Sequence, residues 1–179
     1  MKSWTSPGHS PRPLYLPLRV QPQGFLGALS GPRNVHLDIV DYPGEWLLDL
    51  GLMDQSYADW SRRILARISG RPGAEEFLSL AEAEDSTAPL DEGRARILAE
   101  VYTQHLHAAR GAGYSDCAPG RFLLPGDLEG SPVLTFAPLP VVDGAPRRSL
   151  WREMARRFDA YKSRVVRPFF TDHFSRIDR

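Results

Sequence analysis

The chain has 179 residues, and its 22 Lys plus Arg are balanced by 22 Asp plus Glu. Cancelled charge argues against an electrostatically dominated partner such as bulk nucleic acid, and a hydrophobic content of 42% excludes wholesale disorder. No apolar run approaches the ~18 residues of a membrane-crossing helix, and the single cysteine, Cys117, excludes an internal disulfide framework.

Residues 14–20 alternate cleanly, with Leu14, Leu16, Leu18 and Val20 on one side and Tyr15, Pro17 and Arg19 on the other. A period of two predicts a strand with one buried face. Pro17 has no N–H for a ladder, which places that strand at a sheet edge. A Gly-rich connection over residues 21–34 leads to a second alternating run, residues 35–41, closed by Tyr42-Pro43-Gly44. Two strands joined without a helix pair most simply as antiparallel neighbours.

Helical periodicity follows. Tyr57, Trp60, Ile64, Leu65 and Ile68 mark one face of a helix near 55–69, stopped by Gly70 and Pro72. A shorter helix is expected near 73–83. A longer one is expected from Asp91, as N-cap, to Arg110, with Ile97, Leu98, Val101, Tyr102, His105 and Leu106 facing inward. Gly111 stands where a helix-ending glycine belongs. Residues 111–149 are punctuated by Pro and Gly around a short strand expected at Val133–Phe136. A last helix near 148–166 should bury Trp151, Met154, Phe158, Tyr161 and Val165 and be interrupted by Pro168. Beyond it, Phe169, Phe170 and Phe174 form an aromatic patch in need of a partner surface.

The stretch richest in chemistry is LDIVDYPGEW, residues 37–46. It delivers Asp41 at the end of a strand, followed by x-x-Gly. A carboxylate at a strand's carboxyl end lies where ligands bind in open α/β sheets, and it can hold Mg²⁺ beside phosphates, usually through a water. A glycine three residues on offers a backbone N–H to a terminal phosphate and lets the loop move when that phosphate leaves. Asp41 and Gly44 fit these roles. Glu45 stands where Ras-like enzymes keep a water-orienting Gln. The D-x-x-G pattern is unspecific on its own: Asp127-Leu-Glu-Gly130 matches too, but it follows Pro-Gly and reads as a turn. The strand before Asp41 is what distinguishes the first match.

The remaining candidates read as structural. Trp46 reads as a packing residue that pins the segment after Gly44, and Trp60 as core. His105 and His107 are two apart on a helix and do not share a face. Nothing near Cys117 suggests a lowered thiol pKa. Residues 147–179 hold ten Arg or Lys against Glu153, Asp159, Asp172 and Asp178, a net charge of +6. Their aromatics fall at helical core spacing with the arginines opposite, which describes a solvated basic face.

The strings DIVDYPGEWLLDL (residues 38–50), Tyr57-Ala58-Asp59-Trp60-Ser61, PGRFLLPGDLEGSPVLTFAPLP (residues 119–140) and YKSRVVRPFFTDHFSRIDR (residues 161–179) closely resemble the YcjX-like family. Its members are bacterial P-loop nucleoside triphosphatases of GTPase-like fold, linked to stress responses. The resemblance implies an α/β fold: a partial Ras-like P-loop sheet with an antiparallel edge strand pair and a large helical insertion. It divides the chain into a partial nucleotide-binding core over 1–50, a helical insertion over 51–130, and a short strand and helix over 131–179. For the intact protein it implies Mg²⁺-dependent hydrolysis of GTP (or ATP). Asp41 would be the metal-side carboxylate, Gly44 the nucleotide contact and Glu45 the catalytic, water-orienting residue. It further implies a cytoplasmic protein peripheral to the inner membrane, with a protein partner there, no nucleic acid and no transmembrane segment.

One departure matters. Family members carry a GxxxxGK(S/T) loop whose N–H groups and Lys hold the phosphates. No such string occurs here, and no Lys follows a Gly. The chain therefore reads as a middle fragment: switch II with its strand, the helical insertion, and the helix leading to the remaining half. One metal contact and one hydrogen bond supply a few kcal/mol at most, against an association cost of similar size, so the fragment alone is expected to be inactive. The other function class open to it is a non-catalytic interaction module, docking through the basic helix and exposed aromatics.

Overall fold

The computed structural model describes residues 13–21, 32–40 and 43–173. The chain divides into two compact units, Met1–Pro43 and Gly44–Arg179.

In the first unit, β1 (Pro13–Val20) and β2 (Arg33–Val40) pair antiparallel, as their sequences predict. The register sets Leu14 opposite Ile39, Leu16 opposite Leu37 and Leu18 opposite Val35. Directly opposed residues share a face, so both alternating patterns point their apolar side chains the same way. The expected burial of that face does not occur within the described residues. Leu14 is 54% exposed and Val35 46%. The reason is geometric: a sheet face needs a second layer, and the described part of this unit consists of the two strands alone.

The second unit is helical. A four-residue helix, α1 (Gly44–Leu47), runs into a 3-10 turn, Leu48–Leu52. α2 (Tyr57–Ile68) is capped by Ser56, whose hydroxyl accepts from the Asp59 N–H at 3.1 Å. It buries Tyr57, Trp60, Ile64 and Ile68. α3 (Ala74–Ala83) buries Ala74, Phe77 and Ala81. α4 (Glu92–Gly111) begins at Asp91, which accepts from the Arg94 N–H at 3.1 Å. α5 (Gly120–Leu123) is short, and α6 (Leu150–Tyr161) is capped by Ser149.

Five expectations need correction here. On α4, Ile97 is 49% exposed, while Val101 packs against the core as expected, partly buried. The inward stripe runs through Ala95, Leu98, Ala99, Tyr102, His105, Leu106 and Ala109, because alanines let neighbouring elements approach closely on that side. The left-handed glycine ending α4 is Gly113 (φ 94°), while Gly111 is still helical. Val133–Phe136 is no strand: Pro132–Leu134 forms a 3-10 turn, since Pro132 presets a helical φ at its first position and Ser131 accepts from the Val133 N–H. Pro168 does not break the last helix. A π turn, Lys162–Val166, follows α6 and leads into α7 (Arg167–His173), which carries Pro168 as its second residue. A widened turn relieves the carbonyl clash that proline brings. It also rotates the chain, so Val166 is buried in place of Val165.

The core is aromatic. Trp60 stacks on Phe158 with ring centroids 4.9 Å apart, and Phe136 meets Phe122 edge-on at 4.9 Å. Phe136 also touches Phe158 and Tyr161, joining the loop after α5 to α6. Two interior hydroxyls are matched: that of Tyr57 donates to the Ala137 carbonyl at 2.8 Å, and that of Ser61 accepts from the Leu139 N–H at 3.2 Å, whereas the buried indole N–H groups of Trp60 and Trp151 find no acceptor among the described residues.

Candidate functional site

Of the three residues singled out for nucleotide chemistry, Asp41 lies outside the described residues, as does Phe174 of the aromatic patch. Gly44 and Glu45 open α1. Gly44 is exposed, and a Cβ built on it would meet nothing within 4 Å. As the first residue of the helix, its N–H has no acceptor within that helix.

Glu45 is a bound carboxylate. Its Oε1 accepts from Nη2 of Arg110, near the end of α4, at 2.9 Å. Its own backbone N–H and the Arg110 guanidinium hold its carboxyl below the ordinary carboxylate value, against a smaller effect of burial. It is a weak base while that pair persists.

Trp46 packs, as expected. Its indole N–H donates to the Leu124 carbonyl at 2.9 Å. The Arg121 guanidinium lies 3.3 Å from the ring centroid, and Phe169 of α7 meets the ring edge-on at 6.0 Å. One ring of the C-terminal aromatic patch therefore finds its partner within the same unit.

Asp49, in the 3-10 turn after α1, escaped sequence reasoning and is the most constrained polar side chain here. It is 3% exposed. Its Oδ1 accepts from the Gly120 N–H at 2.7 Å, and its Oδ2 accepts from the Tyr161 hydroxyl at 2.5 Å and the Arg121 N–H at 3.4 Å. Burial pushes its carboxyl up to about 6, and the three donors hold it from rising further. The signal available in the sequence was an Asp inside the apolar run Leu47-Leu48-Asp49-Leu50.

Gly120 explains the fit. A Cβ there would lie 1.7 Å from the Glu45 carbonyl oxygen. The backbone at the start of α5 is thus laid directly on the backbone of α1, and only glycine allows that approach.

Other candidates resolve as structure. His105 is buried with Nδ1 at 2.9 Å from the Pro72 carbonyl, and burial lowers its pKa. Burial raises the Cys117 thiol. Asp127 is an exposed turn residue, and Gly130 is left-handed at φ 72°. A groove of about 1010 Å³ lies between α4, the Pro132–Leu134 turn and α6, remote in sequence from Gly44. Arg157 on its wall donates to Glu92 and Glu153, and Arg156 to Glu153. Part of the basic face of α6 is therefore neutralised in place, which weakens the docking-module alternative.

A family model described as the YcjX-like family, DUF463, matches residues 1–179. The chain is 35% identical over 188 aligned positions to a protein of Escherichia coli (strain K12) named Ras-like GTPase YcjX, covering 99% of this chain and 40% of that one. It is 34% identical over 190 positions to a protein of the same name from Shewanella oneidensis, covering 99% and 39%. No helix among the described residues is long and apolar enough to cross a membrane.

Proposed function

Because the chain belongs to the YcjX-like family, we propose that it supplies the switch segment and helical body of a Ras-like P-loop GTPase. It spans about 40% of the length of the curated relatives it matches, so phosphate binding by a GxxxxGK(S/T) loop must come from residues outside it. Within this reading Asp41 is the magnesium-side carboxylate, Gly44 touches the terminal phosphate of GTP (or ATP), and Glu45 orients the attacking water. Asp41 would hold Mg²⁺, which would supply charge neutralisation at the phosphates.

The open surroundings of Gly44 carry the reading. A phosphate-contacting glycine must stand clear of other atoms, and among the described residues nothing lies within 4 Å of a Cβ built on Gly44, on a helix held through Trp46 and Glu45. Glu45 is close by but engaged by Arg110. To act on water it must use its second oxygen or leave the guanidinium, and a γ-phosphate drawing Gly44 forward provides the occasion. The held carboxyl also keeps the residue ionised at neutral pH, the form that accepts a hydrogen bond from water.

Two measurements test this. In the Escherichia coli relative, neutralising the residues that align with Asp41 and Glu45 and adding a methyl at that aligned with Gly44 should each cut GTP hydrolysis by about tenfold or more. Unchanged turnover in all three would refute the assignment. The present chain, titrated with fluorescent GTP and Mg²⁺, should bind no tighter than about 100 μM, since the loop contacts are absent. Tighter binding would mean that the phosphates are held by residues not assigned here.

A further inference from the structure

We propose that Asp49 is the positioning residue of this site: it ties the Gly44–Glu45 segment to the start of α5 and the end of α6, so that the three move as one piece. The inference rests on the nucleotide reading above for its purpose, but not for its geometry.

Asp49 follows Glu45 by four residues, one helical turn along the path from α1 into the 3-10 turn. Both of its oxygens are engaged, by partners 71, 72 and 112 residues away in sequence. The carboxylate thus joins three segments that share no local connection. The close approach of Gly120 to the Glu45 carbonyl adds a second constraint on the same joint. An ångström of motion at Glu45 must either carry α5 with it or open the Asp49 hydrogen bonds. Tyr161 is the last residue of α6, directly before the π turn. A displacement entering at Gly44 is therefore delivered to the point where the helix changes its winding.

The charged and titratable groups facing the joint are few. Tyr161 faces it from α6 and Arg121 from α5, the latter with its guanidinium over Trp46. On its own segment Glu45 is already paired with Arg110 of α4. A buried carboxylate in this setting binds its proton more tightly closed than open, so opening becomes easier as pH rises. Ordinary core residues carry no such dependence.

Amide hydrogen exchange on the whole chain between about pH 4.5 and 7.5, corrected for the intrinsic rate, tests the proposal. Residues 45–52 and 120–124 should lose protection together, by about tenfold, as pH rises from about 4.5 to 6 and then level off, while α2 and α4 keep theirs. Asp49→Asn should make the two segments insensitive to pH. Asp49→Ala should lower protection in both across the range. Should Asp49→Ala fail to fold, the wild-type profile still decides. A flat profile, loss in one segment without the other, or equal loss in α2 and α4 would each overturn the proposal. No nucleotide is present, so failure here is distinct from failure of the GTPase reading, which turnover in the relative decides.

Discussion

The hairpin and the helical unit carry similar apolar patterning and come to opposite ends. On the hairpin, Leu14, Leu18, Val35, Leu37 and Ile39 line up across two strands and stay largely exposed. In the helical unit, Trp60, Phe136, Phe158 and Tyr161 are sealed from solvent. The difference lies in what each pattern requires. Amphipathic helices joined by turns fold back and bury one another's stripes. The two-stranded sheet has no second layer to fold onto among the described residues. Stability should therefore reside in the helical unit and stickiness in the hairpin.

The largest effect expected from breaking that contrast is on the aromatic core. Phe136→Ala should cost about 3–5 kcal/mol, since the ring meets Phe122, Trp60, Phe158 and Tyr161. Chemical denaturation followed by near-UV circular dichroism measures it. A loss under about 1 kcal/mol would mean that the core is looser than its ring geometry indicates. Next comes Gly120→Ala, which sets a methyl on the Glu45 carbonyl and should cost about 3 kcal/mol. Gly111→Ala is the control: nothing lies within 4 Å of its Cβ position, so a helical alanine there should be neutral or stabilising.

Asp49 gives a third test, with a sign of its own. Its folded pKa, about 6, stands above the ordinary 3.8. The folded state therefore holds the proton more tightly, and the contribution present at low pH is lost as pH rises from about 4 to 6. Relative to wild type, Asp49→Asn should gain over that window, by at most ~3 kcal/mol. Glu153 runs the other way. Arg156 and Arg157 hold it at about 2, so its contribution is present above 4.5 and fades as pH falls towards 2. Comparing the two chains at each pH cancels Glu153 and isolates Asp49. A difference independent of pH would show that the carboxylate is not buried as described.

Local features were legible in the sequence. Ser56 and Asp91 announce helix starts because a cap acts within three residues. The alternating strands announced their pairing. What could not be read depended on distant partners. Asp49 looks like an interruption in an apolar run until Gly120 and Tyr161 come to meet it. Val133 and Leu134 have strand-forming neighbours, yet Pro132 and Ser131 turn them into a 3-10 turn. Pro168 reads as a helix breaker because a π turn six to two residues earlier leaves no compositional trace. Cover for the hairpin face is a separate matter: alternation reports which face seeks cover, not whether cover is supplied among the described residues.

The smallest effect on stability tests the hairpin half of the contrast. Leu37→Lys places a charge in the middle of the apolar face, opposite Leu16. Because Leu37 is 43% exposed, little burial is lost, and unfolding of the helical unit should change by no more than about 0.5 kcal/mol. Self-association should change far more. An uncovered apolar face flanked by strand edges invites pairing between copies, and an inward-pointing charge is the device by which sheets discourage it. Sedimentation velocity on the wild-type and substituted chains reads this directly. If the lysine leaves association unchanged while the core variants alter it, the sticky surface lies in the helical unit and the division of labour between the two regions is wrong.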